Sequence, residues 1–94
     1  MDISTVQTQI HRLKELLSLP STDVVWTNYN SPSEIITDLE LLEKGILNNE
    51  IASVERLLFL LAPTSDLQEI SISSGWGHEF LSIAELLENA LDKT

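Results

Sequence analysis

Ninety-four residues carry fifteen Asp and Glu against five Lys and Arg, a formal net charge of -10 at pH 7, and no cysteine. Such a surface repels phosphate backbones and anionic lipid heads, which argues against direct nucleic-acid or membrane binding and favours a basic protein partner. The length allows one core and not two, hydrophobic residues at 43% are ordinary globular usage, and disulfides are excluded.

The first helix is expected from Ser4 to Leu19, because Ile3, Val6, Ile10, Leu13 and Leu17 step by three and four and form one stripe. Ser4 with Gln7 has capping-box spacing, and Pro20 supplies the stop. Residues 21–30 mix β-branched, aromatic and turn-forming types without a helical period, and read as an extended connector or a short strand.

The second helix has the clearest start: Ser31 as cap, Pro32 at the first helical position, and Glu34 placed to reach back to the cap amide. Ser31→Ala is therefore expected to cost ~1 kcal/mol. Its inner face is Ile35, Leu39, Leu42 and Ile46, with Glu40 and Lys44 spaced as a favourable pair and Gly45 a weak point of ~1 kcal/mol relative to alanine. Asn48 ends it and Asn49 is placed to cap a third helix, with Ile51, Val54, Leu58 and Leu61 on one face. Leu57, Phe59, Leu60 and Ala62 fill its other faces before Pro63, so the end of this helix is expected deepest in the core.

From Thr64 to Gly77 the period is lost again, apart from one short turn over Asp66 to Ile70 that Ser65 and Gln68 could cap. The last helix is expected from about His78 to Leu91, burying Phe80, Ile83, Leu87 and Leu91, with Ala84 and Ala90 allowing close approach. With Gly77 as its cap, Trp76 and Leu81 have the spacing of a hydrophobic staple.

These elements define an all-α chain: one small acidic domain over residues 1–94, with four helices as two αα-hairpins packed in a small bundle and irregular connectors at about 20–30 and 63–77. The halves echo each other. Leu19-Pro20-Ser21-Thr22-Asp23 corresponds to Ala62-Pro63-Thr64-Ser65-Asp66, and Leu39-Glu40-Leu41-Leu42-Glu43 to Ala84-Glu85-Leu86-Leu87-Glu88. A pseudo-repeat and two ordinary hairpins with proline stops both account for the echo.

No catalytic, cofactor-binding or metal-binding residue is assigned. His11 and His78 lie in different elements without a second His or Cys at ligand spacing, and there is no glycine-rich phosphate loop, nucleophile elbow or calcium-loop pattern. His78 stands at a helix start, where the dipole disfavours its charged form; the plainer reading is an exposed histidine beside a packed Trp76. Candidate partner-binding residues are of three kinds. Glu85, Glu88 and Asp92 fall within a sector of about 60 degrees on the last helix, a ridge for Lys and Arg or a solvated face. Leu41 and Leu86 fall outside the buried arcs and suit an apolar interface or contact between the two units. Trp26 and Tyr29 lie in a connector that needs neither for its period, as interface anchors or as lids on the core.

The reading that unites these features is a non-enzymatic interaction module that inhibits or regulates a basic protein, in the manner of immunity proteins or antitoxins against nuclease-type toxins. In size, acidity and helical content the chain resembles nuclease immunity proteins, but it matches none of that group's motifs and is assigned to no family. A self-associating structural or adaptor module and a small carboxylate-based enzyme are the alternatives. The amino terminus has Asp2 and no basic stretch before an apolar run, so a cytoplasmic location is expected.

Overall fold

A computed structural model describes residues 1–25, 27–63 and 65–91. Among them the chain is all-helical without strands, with five helices in order: α1 (Ile3–Leu17), α2 (Pro32–Leu47), α3 (Ile51–Leu60), α4 (Asp66–Ser74) and α5 (Gly77–Leu91). The helix α4 occupies a segment expected to be irregular, so the count of four is corrected.

Helix α1 lies at the centre, packing on both α2 and α5, while α3 packs on α2 and α4 on α5. Its buried stripe is Val6, Ile10, Leu13 and Leu17, joined by Gln9, whose amide oxygen accepts a hydrogen bond from Arg12 Nη1 at 2.8 Å. Asp2, not Ser4, caps it: Oδ1 accepts from the Thr5 amide at 3.2 Å and Oδ2 from Thr5 Oγ1 at 2.7 Å. A carboxylate reaching a free amide at the positive end of the dipole outcompetes a serine two residues further in.

The start of α2 departs from the expected capping box by one residue. Glu34 Oε1 accepts from the Asn30 amide at 2.7 Å, and Ser31 Oγ turns to Ser33 Oγ at 2.9 Å instead of capping the helix. Ile35, Leu39 and Ile46 are buried as expected, with Leu42 half-buried. Glu40 pairs across the helices with Lys14 of α1 at 3.5 Å, not along its own helix with Lys44.

At its far end α2 meets α3 closely. A Cβ on Gly45 would collide with Ser53 Oγ and lie 2.8 Å from Ser53 Cβ and 2.9 Å from Glu50 Oε1, so glycine is there for proximity. The turn closes with Asn49 in the left-handed region (φ 61) and the Glu50 amide donating to Gly45 O at 2.9 Å. Asn49 is thus a turn residue, and Glu50 occupies the N-cap position expected for it.

The burial of α3 is the largest correction. Leu57, Leu60 and Leu61 are buried, whereas Ile51 is 74% exposed, Phe59 64% and Leu58 36%. A segment apolar on every side does not specify its inner face from its own period. Packing mainly against one neighbour, α3 leaves Ile51, Leu58 and Phe59 exposed.

Helix α4 buries Leu67, Ile70 and Ser71, and the Ser71 hydroxyl is satisfied by donating to Gln68 O at 2.8 Å. Ser65 Oγ caps it by accepting from the Gln68 amide at 3.3 Å. At its end Gly75 takes φ 85, and the Trp76 amide reaches back to Ser71 O at 2.9 Å, a Schellman-type closure. The inner face of α5 is as expected: Phe80, Ile83, Ala84, Leu87, Ala90 and Leu91 are all buried. Trp76 joins the core at 3% exposure with its indole N–H unpaired, while Leu81 is 56% exposed, so the core and not a staple to Leu81 covers the tryptophan.

The halves of the chain are not built alike. Between α1 and α2 the described residues 18–25 and 27–31 hold no helix, with turns closed by Thr22 N to Leu19 O at 3.0 Å and Thr27 N to Val24 O at 3.0 Å, while the second half holds α4 between α3 and α5. With α3 packed on α2, the expected pairing of the third helix with the last as a second hairpin is not the arrangement seen.

Candidate partner-binding surface

Every described carboxylate side chain is exposed or half-buried, and none is buried. No three His, Cys, Asp or Glu side chains gather as a metal site among the described residues, and no helix there is long and apolar enough to cross a membrane. His11 is exposed and lies 3.9 Å from Glu15, and His78 is exposed beside the buried Trp76.

The sequence-derived candidates fall into separate groups. Glu85 and Glu88 are exposed on α5, with Leu86 between them at 40% exposure. Leu41, 60% exposed, is on α2, and α2 and α5 each pack on α1. Trp26 and Asp92 lie outside the described residues.

Tyr29 is placed by chemistry that its sequence position did not reveal. Its amide donates to Thr27 Oγ1 at 3.2 Å, and its hydroxyl donates to Asp38 Oδ2 at 3.3 Å on α2. Burial, then the Asp38 charge and this hydrogen bond, raise its pKa above the ordinary 10.0, against an opposing pull from Arg56. The tyrosine remains a neutral donor that fixes the Asp38 carboxylate.

Tyr29 and Asp38 form one side of a cleft of about 340 Å³, whose other walls are Arg56, Phe59 and Leu60 of α3 and Asp66 at the start of α4. The Arg56 guanidinium lies over the Phe59 ring, 5.6 Å from its centroid. Among the described residues neither Arg56 nor Asp66 makes an ion pair within 4 Å. The lining therefore carries two carboxylates and one guanidinium, none of them neutralised by direct pairing.

Sequence reasoning missed Asp38, Arg56, Phe59 and Asp66. The one available signal was the excess of apolar residues at 57–62 over what a single buried face can use.

No protein-family model matches the chain, and neither a curated protein nor a solved structure matches it.

Proposed function

We propose that this chain is a non-enzymatic binding protein that captures and regulates a basic protein partner, of the immunity or antitoxin type, acting in the cytoplasm on a nuclease-type toxin. The observation that supports this reading most directly is that no described carboxylate is buried, under a net charge of -10. Carboxylates at the surface raise the encounter rate with a cationic protein, whereas carboxylates enclosed round a reacting centre would serve acid–base chemistry. No cofactor is required.

The test is capture at low salt followed by a salt wash, with the released proteins identified and the association rate of the purified pair measured against ionic strength. The rate should fall about ten-fold or more between ~0.01 M and ~0.15 M salt. A salt-independent rate, or release of acidic proteins only, refutes the reading. A second reading, self-association, is favoured by the exposed Ile51 and Phe59. Sedimentation of a monomer at all concentrations removes it.

A further inference from the structure

We propose that the outer face of α3 and the adjoining cleft dock that basic partner, one lysine or arginine side chain of which enters between Asp38 and Asp66. This rests on the functional reading above and moves the interface away from the Glu85 and Glu88 ridge.

Residues 51, 55, 58 and 59 share one face of a helix by its period. On α3 they are Ile51, Glu55, Leu58 and Phe59, all exposed, so an apolar strip with a carboxylate at its middle faces solvent. Exposed apolar surface of this kind, bordered by charge, is the usual mark of an interaction site. Phe59 belongs both to this strip and to the cleft wall, which makes the two one continuous surface.

Charge complementarity selects the occupant. The cleft presents Asp38, oriented by the Tyr29 hydroxyl at 3.3 Å, and Asp66, which makes no ion pair among the described residues, against the single Arg56. An anion would meet both carboxylates; a cation is attracted by both and by the field of the whole chain. A cleft of about 340 Å³ lies at the small end of ligand pockets and suits one long side chain. The aromatic rings and Leu60 can cover its methylene stem while the charged head reaches the carboxylates.

The experiment is a titration of the whole chain with N-acetyl-arginine amide, and in parallel with its uncharged citrulline analogue, read by backbone amide chemical shifts. The arginine probe should give saturable shifts at Tyr29, Asp38 and Asp66, and the citrulline probe none. Asp38→Asn and Asp66→Asn should each weaken binding by roughly three- to five-fold. Arg56→Gln, on an exposed residue, should strengthen it by a similar factor, since it removes the competing cation. Equal binding of both probes, absence of shifts at the cleft, or reversed signs for the Asp38 and Arg56 variants overturns the proposal. Saturable shifts confined to Glu85 and Glu88 overturn it too, while leaving the basic-partner reading standing; that reading fails separately, by a salt-independent association rate.

Discussion

Replacing Gly45 by alanine sets a local gain against a steric loss at the α2–α3 contact. In an isolated helix the substitution is favourable by about 1 kcal/mol. Here the new methyl would collide with Ser53 Oγ and sit 2.8 Å from Ser53 Cβ, an atom fixed by its own backbone. Relief requires the two helices to separate, and overpacking of this kind costs about 1–3 kcal/mol. With contacts this short the cost belongs at the upper end, so Gly45→Ala should destabilise the chain by a net ~1–2 kcal/mol, a fall in Tm of roughly 5–15 °C. Urea unfolding of Gly45→Ala, Ser53→Gly and the double variant measures it. In the double variant the clash with Ser53 is gone and only the movable Glu50 carboxylate remains close, so the two changes should show a coupling of about 1 kcal/mol or more in the restoring direction. A Gly45→Ala chain as stable as the parent, or strictly additive variants, refutes the close approach.

The caps should rank differently from what serine spacing suggests: Asp2→Ala and Ser65→Ala should each cost ~1 kcal/mol and Ser31→Ala only a few tenths, by thermal or urea unfolding, because only the first two side chains cap a helix amide. Leu57→Ala, at a fully buried position, should cost about 2–5 kcal/mol, whereas Ile51→Ala, 74% exposed, should stay within about 0.5 kcal/mol. Tyr29 is the only tyrosine, so ultraviolet titration reports it alone; its midpoint should lie above 10.0 in the native chain and return towards 10.0 in denaturant. A raised folded pKa means that its share of stability is intact below 10.0 and is lost as pH rises through the folded value, a loss that Tyr29→Phe should abolish.

The sequence was most legible where one face of a helix was apolar and the other polar. The stripe of α1 and the inner face of α5 could be read residue by residue, since Val6, Ile10, Leu13 and Leu17, like Phe80, Ile83, Leu87 and Leu91, recur at steps of three and four along one face. Over 57–62 almost every residue is apolar, and neighbouring helices, not period, chose Leu57, Leu60 and Leu61. Helix α4 was hidden because it buries only Leu67, Ile70 and a serine, and its serines and β-branched residues have poor intrinsic propensity. Its punctuation was nevertheless present: Ser65 ahead, Asp66 and Glu69 in the first turn, and Gly75 to close it. At the cleft, Tyr29 was visible as an aromatic without a helical duty. Its neighbours Asp38, Arg56 and Asp66 come from three different helices, and only the packing of α2, α3 and α4 brings them together.

The uncovered side of α3 also bears on how crowded copies of this chain behave. At neutral pH mutual repulsion holds such greasy faces apart, so the acidic excess works as a spacer. Near the isoelectric point of about 4.3 that repulsion disappears while Ile51, Leu58 and Phe59 remain as sticky as before. Acidified solutions should therefore cluster through this helix first, and Phe59→Ser should delay the turbidity.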